Sequence, residues 1–261
     1  MTERAASLPM YDFPECVAAT DEWWAGLARH FAAAGVADPP SRLTRPSEGA
    51  DFWLRPDMLF SQTCGYPLIT ALAGRVTLLA TPCNDSPGCE GPDYSSLIVV
   101  REDAGWIDFR DLRGAVCAVN AAESWSGHHA LRLVIAREGG GEGAFCTALR
   151  SGSHAASIAA VAEGHADFAA IDCVTHAMLA RHRPGSVAGT RVLCRSPAMP
   201  GLPLIAGQAA SARDVKAMRE GLAAAREALG LVGLQVLPPA EYGRLSTSLE
   251  MVERAGVPPL L

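Results

Sequence analysis

Two short apolar runs, SSLIVVR at 95–101 and LPLIAG at 202–207, lie about a hundred residues apart, and each follows a stretch rich in glycine and proline. Runs of this length and composition read as buried strands. A pair so placed can carry a chain out of one α/β lobe into a second and back again. At 261 residues the chain suits one large unit or two modest lobes. The two runs favour the second arrangement: residues 1–96 plus 204–261 as a discontinuous first lobe and 97–203 as an inserted second one. A two-strand hinge and a central cleft complete that expectation.

The rest of the chain supports α/β architecture. Apolar runs at 8–11, 58–60, 76–80, 115–120, 168–171 and 191–195 read as strands, and another begins at 42–43. Helical stretches fall at 21–35, 66–72, 128–137, 153–163, 173–181, 211–229 and 241–255. Strands that alternate with helices mark an α/β fold.

Charge removes several function classes. The net charge is −6, so no global basic field exists to hold nucleic acid or an anionic membrane surface. Of the 22 basic residues, Lys216 is the single lysine and the other 21 are arginine. A phosphate-loop lysine, a pyridoxal Schiff base or a lysine general base would have to be Lys216, in a segment that reads as the solvent face of a helix. Lysine chemistry is therefore not expected. No apolar run reaches the roughly 18–20 residues that span a bilayer. The amino terminus, MTERAASLPMYDFPEC, lacks the charged and apolar regions of a secretory signal. On that ground the chain is expected to be soluble and to stay in the cytoplasm where it is made.

The eight cysteines form no C-x-x-C pair, and no zinc-type spacing occurs. No metal or cofactor is expected. Cys117, Cys146, Cys173 and Cys194 lie in or beside apolar runs and read as small buried hydrophobes. Cys64, Cys83 and Cys89 fall in Gly/Pro-rich loops that leave room for one disulfide.

The segment most pointed toward chemistry is NAAESWSGHHALR at 120–132. A strand ends, hydroxyl residues and a glycine follow, and a helix starts. Free N–H groups and the positive end of the helix dipole make such a place an anion site. Ser124 and Ser126 add hydroxyl donors, Gly127 lets the backbone approach, and His128 and His129 offer ring N–H groups. Ordinary capping by Ser126, with the histidines solvated, accounts for the same residues. Ser61, Gln62 and Thr63 repeat this grammar at a second strand end, and Asp172 ends the strand DFAAI and opens a helix. Asp172 is either a plain cap or a carboxylate that accepts hydrogen bonds from a ligand. Tyr94, just before the first of the two apolar runs, is a further donor or a packing residue. His154, His165, His176 and His182 are scattered and read as structural or surface groups. The stretch GGGEGA at 139–144 follows a helix, not a strand, which rejects a dinucleotide loop. No G-x-S-x-G nucleophile elbow occurs.

Taken together, SQTCGYP, SWSGHHALR, GHADFAAID, GPDYSSLIVV and LEMVERAGVPPL resemble the phosphonate/phosphate-type (PhnD-like) substrate-binding proteins of ABC importers. The resemblance runs over roughly residues 8–260. It implies a type II periplasmic-binding-protein fold and a periplasmic address. It also implies a monomer that closes two lobes on a small oxyanion such as phosphonate, phosphate or phosphite, with an ABC permease as partner. Carried to matching positions, it places Ser124, Ser126, Gly127 and His128 on the anion and Asp172 on a protonated oxygen or an amine. It places Ser61, Gln62, Thr63 and Tyr94 at the ligand as well, and makes Cys64–Cys89 the pair to test for a disulfide. Non-catalytic binding is the expected activity. The alternatives are a cytosolic enzyme on the same fold, with His128 or His129 as acid–base and Asp172 orienting substrate, and an interaction protein that has lost transport.

Overall fold

The computed structural model describes residues 4–45, 49–139, 144–225 and 232–261. The chain forms two compact units, Met1–Asn84 with Pro200–Tyr242, and Asp85–Met199 with Gly243–Leu261. The expected lobe boundaries, 96/97 and 203/204, lie twelve and four residues after the observed 84/85 and 199/200. The terminal segment 243–261, expected with the first lobe, groups with the second unit.

In chain order the first segment holds β1 (Ala5–Ser7), α1 (Val17–Ala33), α2 (Ala50–Trp53), β2 (Met58–Gln62), α3 (Gly65–Ile69) and β3 (Thr77–Cys83). The second unit follows with β4 (Cys89–Glu90), β5 (Asp93–Tyr94), β6 (Ser96–Arg101) and β7 (Val116–Val119). A helix made of π, α and π turns, α4, runs through Trp125–His129, Ala130–Val134 and Ile135–Gly139. Then come β8 (Thr147–Arg150), α5 (His154–Ala162), β9 (Phe168–Asp172), α6 (Cys173–His182) and β10 (Thr190–Arg195). The two-residue β11 (Met199–Pro200) leads back to β12 (Leu204–Ala206), α7 (Ala212–Ala225) and β13 (Gly233–Gln235), and α8 (Pro239–Arg254) is last.

The first unit is built on a five-stranded sheet in the order β1-β2-β12-β3-β13. β1 and β2 are parallel, while β12 runs antiparallel to both β2 and β3. The apolar face of α1 supplies Trp24, Leu27 and Phe31, all fully buried, and α7 supplies Met218 and Leu222. They pack on Leu59, Phe60 and Leu79 of the sheet. The Trp24 and Phe60 rings stack at 5.6 Å, and Phe31 meets Phe60 edge-on at 5.3 Å. Each such ring stabilises by about 1.5–3 kcal/mol through burial. Gly221 explains how α1 and α7 come so close: a Cβ there would stand 2.7 Å from Phe31 Cδ1. The other face of the sheet is covered by Phe52, Trp53 and Leu72 over Met58 and Ile205.

The second unit has its own five-stranded sheet, β10-β6-β9-β7-β8, in which β9, β7 and β8 are mutually parallel. β6 and β9 are buried along almost their whole length, as a strand covered on both faces must be. One face packs Leu131, Val134 and Ile135 of α4 against Ile98, Cys117, Val119 and Phe168, with Phe109 and Phe145 stacked at 5.0 Å. The tail of the chain closes this core. Arg132 donates to the carbonyls of Val257 and Pro258, and Leu260 packs beneath. These bonds give 243–261 its place in the second unit.

Several expected elements shift. β1 lies at 5–7, not 8–11, and no strand forms at 42–43, where Thr44 donates a single backbone bond to Ala6. The helix expected from His128 begins three residues earlier, at Trp125. The strand β8 was not foreseen. Residues 140–143 of the Gly-rich stretch and 226–229 of the long helical stretch lie outside the described residues. Among the described residues no helix is long and apolar enough to cross a membrane.

Candidate functional site

Three parallel strands of the second unit end on the same edge, and each leads into a helix. β7 ends at Val119 and leads to α4, β8 ends at Arg150 and leads to α5, and β9 ends at Asp172 and leads to α6. In α/β sheets this edge is where ligands bind, because strand ends and helix N-termini converge there. The capping residues are Ser124, Ser153 and Asp172, which accept from the N–H groups of Gly127, Ala156 and Thr175.

The cap of α4 is therefore Ser124, not Ser126. The N–H groups of His128 and His129 both point at the Ser124 carbonyl, which makes the first turn a π turn. With the cap position filled by Ser124, Ser126 turns inward and is 4% exposed. Its Oγ lies 2.9 Å from Nε2 of His154, the first residue of α5. His154 is held neutral by burial, which lowers its pKa to about 4 against the opposing pull of the Ala170 backbone. Asn120, at the end of β7, lays its Oδ1 over Gly127, where a Cβ would come within 1.8 Å. Gly127 is thus required by a close approach of side chain to backbone.

The two neighbouring histidines are buried, not solvated. His128 donates from Nδ1 to the Ala122 carbonyl at 2.7 Å, and its Nε2 accepts from the Leu260 N–H at 3.1 Å. Both ring nitrogens are engaged, so in this arrangement His128 fastens the chain terminus to the start of α4. Burial also lowers its pKa. His129 packs against Trp125 with ring centroids 6.1 Å apart, and burial, then the charges of His128 and Arg132, hold it down to about 3.

Asp172 is 3% exposed and joins the same edge, since the Trp125–His129 turn packs against β9. The Cys173 N–H donates to the Ser95 carbonyl, which brings the end of β5, the strand of Tyr94, to the start of α6. Ser61, Gln62 and Thr63 lie in the first unit at the end of β2. There Ser61 accepts from Trp53 Nε1 at 3.2 Å, Gln62 donates to the Leu202 carbonyl at 3.2 Å, and Thr63 is fully buried. Both of these hydrogen bonds lie within the first unit.

Sequence reasoning missed Asn120 and His154. The signal for His154 was the same strand–polar turn–helix grammar, hidden because the strand before it, β8, is short and only half-buried. The cysteines also differ from expectation. Cys89 lies 3.5 Å from Cys173 and is not joined to Cys64. Among the described residues, no group of three or more His, Cys, Asp or Glu could hold a metal ion.

A cavity of about 750 Å³ opens at the opposite end of β9, lined by Arg101, Asp103, Trp106, Asp111 and Asp167. Its one arginine is already paired with Asp103. The excess of carboxylates makes it a poor place for an anion.

A profile of phosphonate ABC transporter periplasmic substrate-binding proteins matches residues 55–245. The chain belongs to that family. Members are periplasmic substrate-binding proteins of ABC transporters. Among curated proteins none matches the chain. Solved structures of the same fold include PhnD1 from Prochlorococcus marinus in complex with methylphosphonate, 13% identical, with a TM-score of 0.74 over 97% of this chain and 99% of that one. A binding protein component of an ABC phosphonate transporter from Pseudomonas aeruginosa is 14% identical, with a TM-score of 0.72 over 97% and 87%. XAC2383 from Xanthomonas citri, bound to chloride ion, is 16% identical, with a TM-score of 0.69 over 98% and 99%.

Proposed function

We propose that this member of the family binds a small tetrahedral oxyanion of the phosphonate, phosphate or phosphite class at the strand-end edge of the second unit. The observation that carries the reading is the Ser126–His154 contact at the start of two helices. In the tautomer protonated on Nε2, the neutral imidazole donates to Ser126 Oγ and leaves the hydroxyl proton for an anionic oxygen. Hydrogen bonds of this kind to a charged acceptor contribute about 1.5–3 kcal/mol each, and the dipoles of α4 and α5 add to them. Asp172 accepts from a protonated ligand oxygen or an amine. No cationic side chain is needed, which suits a chain of net negative charge.

The same geometry speaks against the enzyme alternative built on His128 or His129. His128 has both ring nitrogens engaged, and His129 stays neutral down to about pH 3, so neither is poised to exchange a proton near neutrality. Thermal-shift and calorimetric titration with methylphosphonate, phosphate, phosphite and sulfate tests the proposal. Ligand present at about 100 times its Kd stabilises by roughly 2.7 kcal/mol. Turnover of a bound compound, lost in a His128 or His129 variant, would restore the enzyme reading.

A further inference from the structure

We propose that Cys89 and Cys173 are a dithiol site that a disulfide-class oxidant converts to an intramolecular disulfide. The two residues are far apart in sequence, yet their sulfurs lie 3.5 Å apart. The backbone holds them there. Cys89 pairs with Tyr94 in the β4–β5 hairpin, and Ser95 donates to the Gly88 carbonyl while its own carbonyl accepts from the Cys173 N–H. Gly88, at φ +111°, rests directly on Cys173: a Cβ there would meet Cys173 Cβ at 2.9 Å and Sγ at 3.2 Å.

The two sulfurs have different roles. Cys89 is partly exposed and Cys173 is 1% exposed, so the oxidant meets Cys89 first. The Cys89 thiol hydrogen-bonds to Cys173, which raises the Cys89 pKa and lowers that of Cys173, so the favoured thiolate is Cys173. With oxidised glutathione, Cys89 passes its proton along that hydrogen bond to the Cys173 thiolate, and Cys89 Sγ attacks one glutathione sulfur, forms a mixed disulfide and releases one glutathione thiolate. Cys173 Sγ then attacks Cys89 Sγ and releases the second. Two protein thiols lose two protons and two electrons, and one oxidised glutathione becomes two reduced molecules. The bond ties the hairpin that carries Tyr94 to the helix start that carries Asp172. Its formation does not depend on the ligand reading.

The test treats the full chain, without ligand, with oxidised glutathione, blocks remaining thiols with N-ethylmaleimide and maps the peptides by mass spectrometry. The expected result is a Cys89–Cys173 cross-link lighter by two hydrogens, with a Tm several degrees above the reduced chain. Both changes disappear in Cys89→Ser and persist in Cys64→Ser. A blocked Cys89 and Cys173 with no link overturns the proposal. So does a lasting glutathione adduct on Cys89, a Cys64–Cys89 link, or oxidation confined to Cys117 and Cys146, which also lie 3.5 Å apart.

Discussion

The Ser126 hydroxyl lies 2.9 Å from Nε2 of His154, a contact that joins the starts of two helices across 28 residues of sequence. Ser126 follows the strand β7 and His154 follows β8, and the strands are parallel neighbours. The register of the sheet therefore sets the contact, and no local motif contains it.

Removing the ring should weaken binding without unfolding the unit. His154→Ala is expected to raise the Kd for the preferred oxyanion by about 10-fold, because Ser126 loses the ring that aims its hydroxyl at the charged acceptor. Calorimetric titration reads it, and an unchanged Kd would deny His154 a part in the site.

Gly127→Ala brings a Cβ to within 1.8 Å of Asn120 Oδ1 and 3.2 Å of His154 Cε1. The expected cost is about 1–3 kcal/mol of stability, read by urea unfolding. Asn120→Gly in the same chain should recover most of it, since the two residues share one contact. No recovery would mean that the close approach is not what selects glycine.

Much of this was legible in the sequence, but unevenly. The alternation of strands and helices and the hydroxyl–glycine–histidine run at 124–129 were visible because both are local patterns. The cap at Ser124 was not, because a π turn and an α turn use the same residue types and differ only in which carbonyl the His128 and His129 N–H groups reach. The place of His128 was hidden for another reason: one of its partners, Leu260, lies 132 residues away. The strand β8 escaped because it is a sheet-edge strand with mixed burial, and with it went the context of His154.

Acid should destabilise the fold. His154 and His129 are held neutral to about pH 4 and about pH 3, against the ordinary histidine value near 6.5. Between those values the unfolded chain binds protons that the folded chain does not, so stability rises with pH and is lost as pH falls below about 6.5. Urea unfolding at pH 7 and pH 5 should differ by on the order of 4 kcal/mol, about 2 from each ring. His129→Phe should flatten that slope; an identical slope would show that His129 titrates normally.

The first unit offers an independent check. Gly221→Ala places a Cβ 2.7 Å from Phe31 Cδ1 and 3.2 Å from the His30 backbone, so α1 and α7 must separate. A loss of about 1–3 kcal/mol is expected, while the oxyanion affinity of the second unit's residues stays within about 2-fold. A neutral effect on stability would contradict the close helix contact.

The most direct measurement is calorimetric titration of the full chain with methylphosphonate and phosphate, alongside Ser126→Ala. The account predicts saturable 1:1 binding of at least one of these anions, weakened about 10-fold or more by the substitution. Binding of equal strength in Ser126→Ala, or no binding of either anion by the unaltered chain, would contradict it.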